Sequence, residues 1–284
     1  MRLSIITINY NNAEGLRKTL ASVAAQTYRD IEHIIVDGGS TDGSVDIIKE
    51  YEEKIHLTHS TIHVQWTSEK DKGIYNAMNK GVKRSTGEYV WILNSGDEVA
   101  SPEIVEQMVC FLEKYAYPLL IGNIVKVFSE DRKVSEIKMH DANTPTPLDV
   151  SMLTFYSGTV PQDAAFVRRD LFEKYGYFDE SMKICADWKL YLNMIALEGI
   201  EPMYVDIDVV LFDMSGISNA NIGLRDLEKR TYLEEILPAS VLKDYDAHAF
   251  EIEQMKRLRR RHLYWLVYFI ERVLFKLEKW RILR

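Results

Sequence analysis

Acidic and amide side chains recur directly after short apolar runs in this sequence. The run "YVWIL", Tyr89 to Leu93, stops at Asn94, Ser95, Gly96, Asp97 and Glu98. "IEHIIVDGGS" closes on Asp37, Gly38 and Gly39, and Leu3 to Ile8 gives way to Asn9, Tyr10, Asn11 and Asn12. Carboxylates placed this way can hold a hard cation, accept a hydrogen bond from a ring N–H, or take up a proton. At Asp37 a carboxylate can accept a hydrogen bond from a ligand N–H, and the glycines let backbone approach a ligand closely. The same residue types also build plain turns. Asp37 and Asp42 can shape a loop and cap a helix starting near Ser44; Ser101 with Pro102 reads as a helix start. Both readings stand, with binding the better account of Asp37 and capping the better account of Asp42.

The elements that must position these residues follow from hydrophobic periodicity. Strand-like runs at Leu3–Ile8, Ile31–Asp37, Ile62–Trp66, Glu88–Leu93 and Leu119–Phe128 alternate with helical patterns. Those patterns run over Ala13–Ala25 (with Leu16, Leu20 and Val23 on one face), Ser44–Glu53, Gly73–Arg84 and Pro102–Lys114. Such alternation predicts an α/β fold with a mostly parallel sheet flanked by helices. Ligands bind such sheets outside the carboxyl ends of the strands, where the polar segments fall. The glycines do not form GxGxxG, which disfavours a dinucleotide fold. Asp131 to Val160 reads as a long loop over the site or a surface insertion. Further helices are expected at Arg169–Tyr175, Asp187–Leu197 and Ile222–Ile236, a strand at Met203–Leu211, and a continuous helical tail from about Asp246.

The bulk properties bound the function. The 284 residues are 46% hydrophobic and 27% charged, enough for a substantial core. A net charge of −8 argues against a nucleic-acid binder. Two cysteines, Cys110 and Cys185, give no disulfide framework or metal spacing. The absence of a leader-like N-terminus or an apolar stretch of about 18 residues makes the cytoplasm the expected location. The charge is uneven: from Lys256 to Arg284 ten Lys or Arg face Glu271 and Glu278, a net of +8.

"SIITINYNNAEGLRKTLASVAAQTYRDIEHIIVDGGSTDGS", "SEKDKGIYNAMNKGVKRSTGEYVWILNSGDE", "PQDAAFVRRDLFEKYGYFDESMKICADWKLYL" and "FDMSGISN" follow one another in order. This succession resembles the family 2 glycosyltransferases, inverting enzymes of GT-A fold that use nucleotide-diphosphate sugars. The resemblance covers about 220 residues. It implies a Rossmann-like nucleotide-sugar domain over 1–220, with a helical C-terminal extension over 221–284.

Residue by residue, the resemblance puts Asp37 at the nucleobase, favouring UDP-sugars, and Thr7 (through its backbone) and Asn9 in the nucleotide pocket. Asp71 would border the ribose and diphosphate, or cap the following helix, and Asn79 would support the site by packing. "NSGD" occupies the place of the Asp-x-Asp metal motif, with Ser95 and Gly96 by the nucleotide-sugar and Asp97 on a divalent cation (Mg²⁺ or Mn²⁺). Ser95 stands where the family carries its first acid, so a single direct carboxylate would hold the ion. Asp187 matches the acidic catalytic position and would deprotonate the acceptor. At a helix start it can also be a cap, and the helix dipole there is expected to lower its pKa. Gln162 and Asp163 would line the acceptor side; relatives often carry His and Gln there. Asp179 and Glu180 read as a solvated turn, as do Lys70 and Lys72 as surface. Ser215, Gly216 and Ser218 fit a late loop across the diphosphate or a plain turn, and His140 a surface position.

The implied activity is transfer of one hexosyl or N-acetylhexosaminyl group to a glycan or lipid-linked acceptor, as in bacterial surface-polysaccharide assembly. In the tail, Leu263, Leu266, Ile270, Val273, Leu277 and Trp280 form a stripe widened by Tyr264, Trp265, Tyr268 and Phe269. A basic amphipathic helix of this kind suits an anionic membrane surface or a homo-oligomer contact. Two rivals differ in class. A nucleotidyltransferase needs a basic glycine-rich loop that "NYNNAEG" lacks, and a catalytically silent scaffold is favoured only by Ser95 and Gln162.

Overall fold

A computed structural model describes residues 1–58, 61–129, 132–135, 145–214, 221–260 and 264–282. The chain opens with β1 (Leu3–Asn9), α1 (Ala13–Ala24), β2 (Ile31–Asp37), α2 (Ser44–Leu57), β3 (His63–Ser68), α3 (Ile74–Arg84) and β4 (Tyr89–Ile92). It continues through β5 (Glu98–Val99), α4 (Ile104–Tyr115), β6 (Leu119–Ser129), β7 (Arg132–Ser135), β8 (Thr146–Pro147) and α5 (Met152–Ser157). A 3₁₀ turn at Gln162–Ala164 leads to β9 (Ala165–Arg168), α6 (Asp170–Tyr175), α7 (Ala186–Tyr191) and β10 (Met203–Asp213). Three helices end it: α8 (Ile222–Ile236), α9 (Ala239–Arg260) and α10 (Tyr264–Ile282).

The main sheet runs in the order β3-β2-β1-β4-β9-β6-β10-β5. Strands β3, β2, β1 and β4 are parallel neighbours. Every residue of β1, β2 and β4 is buried, so apolar residues fill both faces, interrupted where Ser4 bonds Glu32 and Thr7 meets His33. The polar segments after β1, β2 and β4 therefore leave the sheet at the same edge. There the backbone crosses between strands: Leu93 N–H donates to Ile6 O and Ser95 N–H to Ile8 O. Trp91 of β4 stacks on Phe166 of β9, with ring centroids 4.8 Å apart.

Several elements depart from expectation. β9 is antiparallel to both β4 and β6, so the sheet is mixed. A four-residue strand is too short to show a period, so the sequence gives no sign of it. The expected irregular stretch holds β7, β8 and α5 in its described part. Ser101 does not cap α4; its hydroxyl donates to Glu103 Oε2, and Pro102 and Glu103 form a turn before Ile104. The helix expected over Asp187–Leu197 is α7 followed by wider turns at Leu192–Leu197, where Glu198 N–H reaches back to Asn193 O. The helical tail starts at Ala239, seven residues before the expected Asp246.

Two compact units make up the chain, Met1–Tyr232 and Leu233–Arg284. In the second, Phe250, Trp265, Leu266, Tyr268, Phe269, Ile270, Val273, Leu274 and Phe275 are exposed. Among the described residues no helix is long and apolar enough to cross a membrane.

Candidate active site

One amide joins the three strand ends. Asn9, the last residue of β1, donates from Nδ2 to Asp37 Oδ1 (2.8 Å) and to Ser40 Oγ (3.2 Å). Its Oδ1 accepts from Ser95 Oγ at 2.8 Å. Asn12 adds a second tie: its Oδ1 caps α1 by accepting from Gly15 N–H, and its Nδ2 donates to Ser95 O at 3.1 Å. In the turn after β4, Gly96 takes φ +111°, and a Cβ there would stand 3.4 Å from Asp213 Oδ2. Only glycine adopts that conformation without strain, so the turn folds tightly and drops Asp97 into the sheet edge.

Asp37 is fully buried. Its carboxylate accepts from Asn9 Nδ2, Gly39 N–H, Ser40 N–H, Ser40 Oγ and Ser68 Oγ, all within 3.1 Å. Burial pushes this carboxyl up, but bonds from Ser40, Ser68 and Asn9 outweigh it and the net shift is down. A carboxylate has about four lone-pair sites, and these donors use them. In this structure those donors occupy the Asp37 carboxylate and shape the loop, with Gly39 at its exposed surface. Thr7 is likewise buried. It has no exposed surface, and its Oγ1 lies 3.0 Å from His33 Nε2 between β1 and β2.

Asp71 does not cap α3, whose cap position is Gly73. Its Oδ1 accepts from Lys80 Nζ at 2.5 Å, and a Cβ on Gly38 would lie 3.2 Å from its Oδ2, so Asp71 sits beside the Asp37 loop. Asp42 precedes the α2 cap position, Gly43, and satisfies helix-start donors: Oδ1 accepts from Ser44 N–H and Oγ, and Oδ2 from Ala13 N–H at the start of α1. Asn79 is buried and clamps the Phe178 backbone with both amide ends. Glu180 is not merely solvated, since it accepts from Asn76 and Asn79. Asp179 pairs with Lys189 at 2.8 Å, and that pairing, with Ser181, holds it at about 2.

Four aspartates gather beyond the Asn9 knot. Asp97 is 4% exposed, and its Oδ1 accepts from Asp213 N–H at 2.9 Å. Burial first, then the charges of Asp163 and Asp213, raise its pKa well above the carboxylate range. Asp163 accepts from Asn94 Nδ2 at 2.9 Å; burial and the nearby charge of Asp187 push it up to about 7. Asp187 accepts from Tyr75 OH at 2.9 Å. Its pKa is raised, because burial outweighs the Trp188 N–H, the Tyr75 hydroxyl and the Lys229 charge. The dipole argument gave the opposite sign: the position is at a helix start, but desolvation dominates.

Helix α8 positions α7. Glu228 accepts from three successive backbone N–H groups, those of Lys183 (2.6 Å), Ile184 (3.0 Å) and Cys185 (3.0 Å), just ahead of Asp187. Lys229 Nζ donates to Gly158 O and lies over the Trp188 ring, and Tyr232 OH donates to Asn193 Oδ1.

Repelling carboxylates, with a buried Asn94 Oδ1 that has no donor, fit a hard divalent cation. Among the described residues no three His, Cys, Asp or Glu are grouped to hold a metal ion by themselves. His140, Ser215, Gly216 and Ser218 lie outside the described residues.

A family model described as glycosyl transferase family 2 matches residues 4–176, more than half of the chain. This chain is a family 2 glycosyltransferase. An uncharacterized glycosyltransferase of Mycobacterium tuberculosis is 33% identical over 221 residues, 76% of this chain and 77% of that protein. A Mycobacterium bovis protein described as a PGL/p-HBAD biosynthesis glycosyltransferase is 26% identical, over 80% of this chain and 82% of that one. S. aureus TarS in complex with UDP shares the fold with a TM-score of 0.60 at 21% identity, covering 75% of this chain and 61% of that structure. A Pyrobaculum calidifontis mannosyltransferase in complex with GDP-Man and Mn²⁺ gives 0.55 at 19% identity, covering 74% and 56%. The GT-A-like α/β architecture of this glycosyltransferase is thus the one the sequence implied. The matched segment stops before Asp187 and Asp213.

Sequence reasoning missed Asn94, Asp213, Tyr75, Glu228 and Lys229 as parts of the site. Asn94 had a usable signal, since it directly precedes Ser95 in the same strand-end turn. Glu228 and Lys229 lie more than 40 residues from Asp187 on a helix with no motif, and only folding brings them together.

Proposed function

We propose that this glycosyltransferase moves one sugar from a UDP-sugar to a hydroxyl of a glycan or lipid-linked acceptor, with inversion. The observation that carries the reading is the hydrogen-bonded run from Asp37 through Asn9 to Ser95, continued from the neighbouring Asn94 to Asp163, which lies close enough to Asp187 to feel its charge. It joins the loops that face a nucleotide to acids able to serve the transfer. The uridine contacts fall to the Asn9, Gly38–Gly39 and Asp71 surface, with Asp37 behind it. Asp97, supported by Asp163 and Asp213, would hold a divalent ion. Such an ion neutralises the negative charge that develops on a departing diphosphate.

Asp187 takes the acceptor's proton as the acceptor oxygen bonds to the anomeric carbon and the bond from that carbon to the diphosphate breaks. Its raised pKa makes it a stronger base than an ordinary carboxylate, while Tyr75 fixes one oxygen. The catalytic domain takes in the unit Met1–Tyr232, and Leu233–Arg284 form the helical extension. The exposed apolar residues of α10 and the basic tail favour peripheral contact with an anionic membrane, where a lipid-linked acceptor resides.

Asp187→Asn tests the base. Transfer should fall at least about 100-fold with UDP affinity unchanged. Undiminished transfer would remove Asp187 from that role. The scaffold reading has only Ser95 and Gln162 in its favour, and steady hydrolysis of UDP-sugar without acceptor excludes it.

A further inference from the structure

Two side-chain oxygens in the described structure are buried without a hydrogen-bond donor, Gln162 Oε1 and Asn94 Oδ1, and both belong to residues next to Asp163. Asn94 is held to Asp163 through its Nδ2. Gln162 precedes Asp163 in the 3₁₀ turn and is only 6% exposed. Its Nε2 meets the sulfur of Met78 at 3.9 Å, a weak partner. Met78 lies three residues after Tyr75 on α3, and residues so spaced share a helix face. Tyr75 in turn bonds Asp187. Gln162 is thus linked through Met78 to the face of α3 that carries Tyr75, the hydrogen-bond partner of the proposed base, and it adjoins Asp163 of the acidic cluster.

An unpaired buried acceptor destabilises the fold that contains it, and an apolar side chain of the same length would not. We infer that Gln162 is a specificity-determining residue for the acceptor, its Oε1 accepting an O–H from a polyhydroxyl substrate whose neighbouring hydroxyl is activated at Asp187. The inference rests on the proposed transfer reaction and deepens it: the acceptor class is one with at least two hydroxyls on adjacent carbons, as in a sugar or glycerol unit. A simple alcohol could meet Asp187 but would leave the amide oxygen unpaired.

The test uses Gln162→Met in the full chain, with Gln162→Leu as a second variant should the first fail to fold. Thermal unfolding without ligand comes first. The inference expects a Tm equal to or above wild type, because an unpaired polar group is removed; a lower Tm in both variants overturns it, since the oxygen would then be tied within the fold. The second measurement supplies glycerol at molar concentration with whichever of UDP-glucose, UDP-galactose or UDP-N-acetylglucosamine the wild type hydrolyses fastest. Wild type should form glycosyl-glycerol beside free sugar. The variants should shift that partition toward hydrolysis about 10-fold, an effect of the size expected for one substrate hydrogen bond. An unchanged partition, a parallel loss of both products, or no glycosyl-glycerol from wild type overturns the inference. If wild type consumes none of the three donors, the transfer reading itself fails, and the Tm comparison still decides whether Gln162 is tied within the fold.

Discussion

Asp97, Asp163 and Asp187 each bind a proton more tightly than a free aspartate does, because burial and mutual repulsion both disfavour the charge. The sign for stability follows. For a carboxyl whose pKa is raised on folding, the native state carries more protons than the unfolded chain between the two values, so stability falls as pH rises through that window. With Asp163 at about 7, the window runs from about 4 to 7. Asp179, held at about 2, acts oppositely but only below pH 4. Metal-free protein should therefore melt several degrees lower at pH 7.5 than at pH 5, and Asp163→Asn should flatten the slope, as differential scanning fluorimetry across pH would show. A Tm that climbs from pH 5 to 7.5 contradicts the assignment. At this scale the sequence exposed Asp97 and Asp187, which end an apolar run and begin an amphipathic one. It could not expose the saturation of Asp37, whose donors Asn9 and Ser68 come from other strands.

Among the elements, α8 matters through three bonds. The loop from Lys183 to Cys185 has backbone donors that no side chain of its own satisfies, and Glu228 supplies the acceptor. Charge-assisted bonds of this kind are worth about 1.5–3 kcal/mol where one partner is lost. Glu228→Gln keeps the shape and one carbonyl oxygen but not the charge. Chemical denaturation should show a loss of about 1–2 kcal/mol, and kcat should fall while the apparent affinity for UDP stays within about twofold. An equal loss of UDP affinity would mean that α8 supports the nucleotide loops rather than α7. The βα alternation up to α4 was legible because each element has a full period of its own. Strand β9 and the broken α7 were not, since one is too short to pattern and the other changes its turn width mid-run.

For the whole molecule, the division at Tyr232 separates a sheet-centred unit from a helical one whose last helix leaves large apolar residues exposed. The sequence adds a net +8 from Lys256 to Arg284 to a chain whose total is −8. Attraction of such a segment to anionic lipid is worth about 1 kcal/mol per basic residue near the surface and weakens with salt. The full chain should sediment with vesicles of phosphatidylglycerol and phosphatidylcholine but not with phosphatidylcholine alone, and a chain ending at Leu237 should stay in solution. Equal sedimentation of both chains would locate the contact elsewhere. That asymmetry was plain in the sequence, whereas the boundary was not: no glycine or proline lies between Leu224 and Leu237 to mark it.

The convergence of the strand-end loops with the acidic cluster is tested most directly by isothermal titration of UDP into the purified full chain, with and without Mn²⁺. The account predicts one UDP per chain, bound more tightly with Mn²⁺, and loss of that Mn²⁺ dependence in Asp97→Asn. No heat of UDP binding in either condition, or an undiminished Mn²⁺ effect in Asp97→Asn, would contradict it.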